Sequence, residues 1–279
     1  MTRLLIALIL LFSATALSPA NAALVSRDDV RQAAAETAKQ VESDYGLYNN
    51  ASQQQRVQRI GNRLARRAKY QEGVVYAFQV LNMPEVNAFS LPDGHVYITR
   101  GLLDMVQRDD QLVAAVIGHE IGHIASLHVY HRVERAMEQE VAGNLFDAIF
   151  GSKLGKVGGY ARAIANDVIF AEYSQDQEVK ADEFGIVLAD RAGFDATAMS
   201  DFLGMLARTE KKNGVLKYLQ DHPSSAKRQE YADTFLQNYD AGKVEVKNYT
   251  SPSPPPEAFD FDYPSYRNSV TDRPLIFHR

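Results

Sequence analysis

Two histidines and a glutamate interrupt an apolar stretch near the middle of the chain, in the order His119-Glu120-x-x-His123. The spacing of four places both imidazoles on one face of a helix, where they can bind the same ion. Glu120 is offset by about 100°, so its carboxylate can touch a ligand of that ion without binding the ion itself. Burying three such groups without partners is costly, which favours a zinc site over a chance match in a buried helix.

A catalytic zinc site needs three protein ligands and one open position, so a third ligand must come from elsewhere in the chain. Glu178 and Asp182 lie four residues apart on a second predicted helix and therefore share a face. A solvated acidic face is the alternative explanation for this pair taken alone. We expect one zinc ion per chain with Glu178 as the third ligand. Asp182 would hold a ligand histidine by its second ring nitrogen.

The elements that must position these residues are a buried helix and a hairpin. The apolar residues between positions 112 and 127 predict a helix, with Asp109 or Asp110 as its N-cap. Just before it, two β-rich runs flank Pro92-Asp93-Gly94, a strong turn signal, so residues 87–99 are predicted to form a hairpin. A sheet containing this hairpin would border the metal cleft.

Other periodic segments predict further helices and two further strands. Helices are expected at residues 26–45 (capped by Ser26), 53–69, 101–106, 160–173 and 175–192, and strands at residues 74–81 and 243–249. The motif helix is expected to continue beyond His123, which would place His128 roughly 180° around from His119 and make it a poor candidate for a ligand.

Composition limits the classes of function. The chain has 279 residues, of which 46% are hydrophobic, enough for one large domain with appendages. Its formal net charge of −5 gives no basic surface for nucleic acid, so we expect no nucleic-acid partner. The absence of cysteine excludes thiolate catalysis, cysteine zinc ligands, disulfides and a lipid-modified cysteine.

The N-terminus is typical of an exported protein. Arg3 precedes an apolar run from Leu4 to Phe12, and Ala20-Asn21-Ala22 fits a signal-peptidase site. We expect a signal peptide at residues 1–22 and a mature chain that begins at Ala23. It would be soluble or peripherally attached to a membrane, and periplasmic in a Gram-negative source. An uncleaved membrane anchor is the alternative, although the run is shorter than the ~20 residues that a span needs.

The mature chain is predicted to divide into a zinc metalloprotease domain (residues 23–249) and a proline-rich tail (residues 250–279). The tail either wraps the domain, engages a partner or is disordered. Residues 143–159 mix bulky apolar side chains with five glycines. They fit an irregular connection between helices better than a lid or a membrane contact.

The motifs resemble those of the gluzincin family of CAAX prenyl endopeptidases and HtpX-like heat-shock proteases, and are most similar to its soluble, LoiP-like periplasmic branch. The resemblance covers about residues 50–240. The features that carry it are His119-Glu120-x-x-His123, Glu178-x-Lys180-Ala181-Asp182, Asn87-Ala88-Phe89, Asp221-His222-Pro223-Ser224-Ser225-Ala226 and Arg228.

The resemblance implies an α+β fold: a mainly helical zincin-type domain with a small sheet or hairpin beside the active-site helix. It also implies a zinc metalloendopeptidase in which Glu120 is the general base. Some descriptions of the family give Asp182 an acid role, whereas its spacing favours an orienting role. The resemblance brings His222 to the metal, either to donate to the developing oxyanion or to occupy the open position of zinc; a surface histidine at a helix start is the alternative.

These features predict an enzyme that cleaves unfolded or misassembled envelope proteins as part of protein quality control, with extended polypeptides as substrates. Outer-membrane or other envelope proteins are candidate partners. The alternatives are a metal-stabilised, chaperone-like binding protein with little turnover, and an amidase or small-peptide hydrolase.

Overall fold

A computed structural model of the protein describes residues 26–138 except 70 and 72, residues 172–209, residue 222 and residues 225–250. The predicted signal peptide, the segment 143–159, the helix expected at 160–173 except its last two residues, and the proline-rich tail beyond Thr250 lie outside the described residues. The domain boundaries drawn from the sequence stay predictions.

The described residues form mainly helices with one small sheet, which confirms the α+β fold class expected from the sequence. The helices are α1 (Arg27–Tyr45), α2 (Ala51–Ala65), α3 (Arg100–Val106), α4 (Asp110–Ala125), α5 (His128–Glu138), α6 (Gln175–Arg191), α7 (Ala198–Thr209) and α8 (Ser225–Asp240). The strands are β1 (Ala77–Leu81), β2 (Ala88–Ser90) and β3 (His95–Thr99).

The helix starts follow the capping residues in the sequence. Ser26 and Asp29 form a capping box at the start of α1, and the Asp109 side chain accepts hydrogen bonds from the first turn of α4. The helix predicted at 53–69 is α2, which begins earlier than expected because Asn50 caps it and ends earlier, at Ala65.

The sheet has the order β1-β3-β2. β2 and β3 form the expected antiparallel hairpin, and Gly94 occupies the positive-φ position of its turn (φ 111°). β1 pairs with β3 in parallel, with Ala77 opposite His95. β2 is therefore an edge strand, and it lies against α4.

α4 and α6 pack against each other at very short range. A methyl group added at Gly122 would lie 2.7 Å from the Phe184 Cβ, and one added at Gly118 would lie 3.0 Å from the Gly185 Cα. Both glycines lie next to the motif histidines, one helical turn apart. Their missing side chains let the two helices approach closely enough for His119, His123 and Glu178 to meet.

Two expectations are wrong. The strand expected at 243–249 instead contains a short 3-10 turn, Val246–Asn248, and the neighbouring Thr250 makes an isolated β-bridge to Ala68. A β-rich alternation forms a strand only where a partner strand is available, and none runs beside this segment within the described residues.

The motif helix also does not continue as expected. α4 ends at Ala125, Leu127 adopts a left-handed conformation (φ 59°), and α5 begins at His128 with its axis bent by 52°. No single helix among the described residues is long and apolar enough to cross a membrane; α4 and α5 pass that test only as a bent pair, on length and composition.

Candidate zinc-binding active site

Four buried side chains converge between α4, α6 and the start of α8. One candidate ligand atom from each of His119, His123, Glu178 and His222 lies within 4.8 Å of the other three. His119 and His123 come from successive turns of α4, and Glu178 comes from the first turn of α6. Imidazole nitrogen and carboxylate oxygen are the donors that zinc takes in catalytic sites, so this group fits a zinc ion.

The donor atoms of this group point at one another. The His119 and His123 Nε2 atoms are 3.0 Å apart, and the His123 Nε2 lies 3.3 Å from the Glu178 Oε1. The same carboxylate oxygen is 2.9 Å from the His222 Nδ1. The structure thus brings together the three residues that the sequence proposed as ligands.

Asp182 lies behind His119, one turn of α6 beyond Glu178. Its Oδ1 is 2.9 Å from the His119 Nδ1, the ring nitrogen that faces away from the cluster. With the hydrogen on Nδ1, the Nε2 lone pair points at the cluster. This is the contact that an orienting role for Asp182 requires.

Arg228 on α8 is fully enclosed and bridges the Glu178 and Asp182 carboxylates of α6. Its Nε and Nη2 donate to Asp182 at 2.8 and 2.6 Å, and its Nη1 lies 2.5 Å from the Glu178 Oε2. Burial alone would raise the pKa of both acids, but the charge of Arg228 together with the contacts of neighbouring histidines outweighs it and holds both pKa values below the usual range, that of Glu178 well below. The sequence offered Arg228 only as part of the family resemblance and gave no sign of this bridging contact.

Glu120 lies between the cluster and the sheet. Its Oε2 accepts a hydrogen bond from the Ser90 hydroxyl at 2.9 Å, while its Oε1 has no hydrogen-bond partner in the described part of the chain. Sequence reasoning missed Ser90, which is the last residue of the edge strand β2. Its neighbours Asn87, Ala88 and Phe89 marked the hairpin, but nothing marked the serine.

His222 is buried in the cluster although it precedes α8 and lies far from the motif in sequence. Its Nδ1 is 3.3 Å from the His119 Nε2, and its Nε2 is 3.6 Å from the Glu120 Oε1. Burial disfavours the charged ring, but the Glu178 and Glu120 carboxylates outweigh burial and raise the pKa of His222. His222 therefore lies beside the three residues that the sequence proposed as zinc ligands.

The sequence prediction that His128 faces away from the site is wrong. Because α4 stops and α5 bends, the His128 Nδ1 lies 3.1 Å from the His123 Nδ1. The Tyr173 ring stacks on His123 with a centroid separation of 3.7 Å. Burial lowers the pKa of His128 to about 4, and burial together with neighbouring histidines holds the pKa of His123 well below its usual value.

Residues 51–235, more than half of the chain, match the sequence profile of peptidase family M48. This chain belongs to peptidase family M48. The matched region contains every residue of the cluster, and the resemblance drawn from the motifs is confirmed.

Relatives within this family carry metallopeptidase names. Metalloprotease LoiP of Escherichia coli is 29% identical over 161 residues, which cover 55% of this chain and 60% of LoiP. Mitochondrial metalloendopeptidase OMA1 of Arabidopsis thaliana is 32% identical over 162 residues, covering 56% of this chain and 31% of OMA1. Beta-barrel assembly-enhancing protease of Yersinia pestis is 28% identical over 163 residues, covering 55% and 32%. The chain thus spans less than two thirds of each of these relatives.

Proposed function

We propose that this M48 family member is a zinc-dependent endopeptidase that hydrolyses peptide bonds of unfolded or misassembled envelope proteins. The observation that carries the proposal is the buried group of His119, His123 and Glu178 with the Glu120 carboxylate beside it. The names metalloprotease and metalloendopeptidase among the relatives support the same reaction class.

His119, His123 and Glu178 would hold the zinc ion. Zinc bound there would polarise the scissile carbonyl and make a water molecule a better nucleophile at neutral pH. Glu120 accepts the proton of the attacking water at Oε1, the oxygen that has no hydrogen-bond partner among the described residues, while the Ser90 hydroxyl donates to Oε2. The same carboxyl group then delivers the proton to the leaving amine nitrogen.

The remaining groups position the ligand His119 and stabilise the developing oxyanion. Asp182 orients His119, and Arg228 fixes Asp182 in turn. We assign His222 a catalytic role, in which its ring donates to the oxyanion that develops on the scissile carbonyl. The 3.3 Å separation from His119 also suits the second interpretation, in which His222 occupies the open position of the metal and keeps the enzyme inactive.

An extended polypeptide is the substrate that suits this site. β2 is one of the two edge strands of the sheet that the described residues form, and it carries Ser90, which contacts Glu120. A substrate backbone that added to this edge would bring its peptide bond beside the Glu120 carboxylate. Main-chain pairing depends little on side chains and requires an unfolded or flexible segment.

Two observations support the envelope as the place of action. The first 22 residues have the pattern of a signal peptide. One relative is named for enhancing the assembly of β-barrels. We therefore regard β-barrel proteins of the envelope as candidate substrates or partners of this chain. We place the mature protein in the periplasm, soluble or peripherally attached to a membrane.

Digestion of an unfolded protein tests the proposal. Casein is incubated with the zinc-loaded protein, with chelator-treated protein, with chelator-treated protein resupplied with zinc, and with Glu120→Gln. Cleavage that is lost with chelator, restored by zinc and absent in Glu120→Gln supports an endopeptidase. Zinc binding and suppression of casein aggregation without cleavage would instead identify a binding protein. Cleavage of short peptides alone would identify a small-peptide hydrolase.

Export has its own measurement. Mass spectrometry of the protein purified from its native envelope is expected to show an N-terminus at or near Ala23. A membrane-bound protein that retains Met1 would mean that the apolar segment is an anchor and that the periplasmic assignment is wrong.

A further inference from the structure

His123 has two different neighbours at its two ring nitrogens. Its Nε2 faces the cluster, 3.3 Å from the Glu178 Oε1, and its Nδ1 lies 3.1 Å from the His128 Nδ1. For Nε2 to bind a cation, the ring must be neutral with its hydrogen on Nδ1. The His128 Nδ1 is placed to accept that hydrogen. His119 has the same arrangement, but there the acceptor is the Asp182 carboxylate.

The backbone between the two histidines is shaped for this contact. On an uninterrupted helix, five residues rotate by about 140° and rise about 7.5 Å, which would separate the rings of His123 and His128. Instead α4 ends at Ala125 and Leu127 takes φ 59°, a left-handed conformation that is unfavourable for leucine. This residue turns α5 so that His128 faces back to His123. Backbone strain of this kind persists where the surrounding structure requires it, often at functional sites.

A stack of planar groups fixes the plane of the same imidazole. The Tyr173 ring lies on His123 with centroids 3.7 Å apart and an interplanar angle of 21°. On Tyr173, the Arg132 guanidinium carbon lies 3.4 Å from the ring centroid. His128 and Arg132 are four residues apart on α5, so one face of this helix supports His123 both directly and through Tyr173.

We propose that His128 and Tyr173 are positioning residues for His123: His128 fixes its tautomer, and Tyr173 fixes its ring plane. The inference rests on the proposed zinc site and adds to it a second support, built from an imidazole and an aromatic ring where His119 has a carboxylate. Neither residue touches the reacting atoms. Their effect is on how tightly and in what geometry the metal is bound.

The test measures zinc affinity of the mature chain by competition with a chromophoric chelator. His128→Ala is expected to weaken zinc binding by about 10–100-fold, the scale for losing a partner of a metal-ligating histidine. His128→Asn restores an acceptor atom near the position of Nδ1 and is expected to recover most of the affinity. His131→Ala is the matched control, because His131 is half exposed on the same helix and pairs only with Glu134 among the described contacts of its side-chain nitrogens.

Tyr173 is tested in the same assay. Tyr173→Phe keeps the stacked ring and is expected to bind zinc as the wild type does, whereas Tyr173→Leu removes the stack and weakens binding. The absorption spectrum of the cobalt(II)-substituted protein gives a readout of ligand geometry that does not depend on activity. Its visible bands are expected to shift in His128→Ala and Tyr173→Leu but not in His131→Ala or Tyr173→Phe.

The outcomes separate this inference from the proposed function. If the wild type binds no zinc, the zinc site itself is rejected. If the wild type binds zinc and His128→Ala binds it equally well with an unchanged cobalt spectrum, only the positioning role is overturned. If His128→Asn is as weak as His128→Ala, the hydrogen bond is not the cause and the proposal fails for His128. Should His128→Ala not fold, the Asn and Tyr173 variants still decide the result.

Discussion

The candidate metal site is enclosed by two parts of the chain that reach it in different ways. On one side, two regular helices in close contact supply five groups (the α4–α6 side): His119, Glu120, His123, Glu178 and Asp182. On the other side, the segment at the start of α8 supplies two groups (the α8 side): His222 and Arg228. The first side carries all three carboxylates of the site, and the second carries the arginine.

Because of this difference, we expect the two sides to have different roles. Helical spacing and the close contacts of Gly118 and Gly122 between α4 and α6 fix the positions of the groups on the first side. The α8 side partly compensates the negative charge of these carboxylates, because Arg228 pairs with both Glu178 and Asp182. Removing one partner of a buried ion pair costs on the order of 3–5 kcal/mol, because the other charge is left uncompensated. We therefore expect the α4–α6 side to bind zinc and the α8 side to set turnover and stability.

The largest effect is expected from Glu178→Ala. Removing the carboxylate would delete one of the three proposed zinc ligands, so zinc content is expected to fall to background and peptide cleavage with it. Metal analysis after dialysis measures this, with Glu183→Ala, one turn further along the same helix and partly exposed, as the control. Stoichiometric zinc in Glu178→Ala would mean that the third ligand comes from the α8 side, with His222 as the first candidate. It would contradict the separate roles assigned to the two sides.

Glu120→Gln separates chemistry from binding within the α4–α6 side. The amide cannot accept a proton, so cleavage is expected to fall by about 10²–10⁴-fold, while zinc stays bound because Glu120 lies beside the ligands. The measurement combines initial rates of peptide cleavage with metal content, and exposed Glu36→Gln is the control. Turnover above about 10% of wild type would show that Glu120 is not the base.

His222→Ala tests the α8 side. Zinc content is expected to remain intact and kcat to fall by about 10²-fold, the usual scale for removing one oxyanion donor. Steady-state kinetics beside metal analysis decide between the interpretations. A rise in activity would identify His222 as a self-inhibiting ligand, and unchanged kinetics would remove it from the reaction.

The smallest effect is expected from Asp182→Asn, which tests the orienting role. The amide can still accept from the His119 Nδ1 but loses the charge paired with Arg228, so zinc affinity is expected to fall by about 10–100-fold with turnover retained at saturating zinc. Chelator competition gives the affinity. A complete loss of turnover with zinc fully bound would instead favour a proton-donating role for Asp182.

The residues of the α4–α6 side could be predicted from the sequence more readily than those of the α8 side. Helical spacing identified His119, His123 and Glu178 as candidates because that spacing is local, and Asp109 and Pro92-Asp93-Gly94 marked the elements that hold them. Tertiary contacts could not be predicted from the sequence. The hydroxyl of Ser90 and the guanidinium of Arg228 carry no local pattern that tells where they point, and the parallel pairing of β1 with β3 depends on distant residues.

His128 shows a different kind of failure. Helix ends are usually predicted from glycine, proline or a capping residue, but the break after α4 occurs at Leu127, which carries no such signal. The sequence therefore predicted an uninterrupted helix, on which His128 would face away from the site. The strand expected at 243–249 failed because alternation cannot show whether a partner strand is present.

The central claim is that His119, His123 and Glu178 hold one zinc ion. Anomalous X-ray diffraction from crystals of the zinc-loaded protein, recorded above and below the zinc absorption edge, tests it most directly. We predict a single anomalous peak per chain, at about 2.0–2.2 Å from the Nε2 atoms of both histidines and from a Glu178 carboxylate oxygen. No peak, or a peak whose ligands do not include Glu178, would contradict the claim.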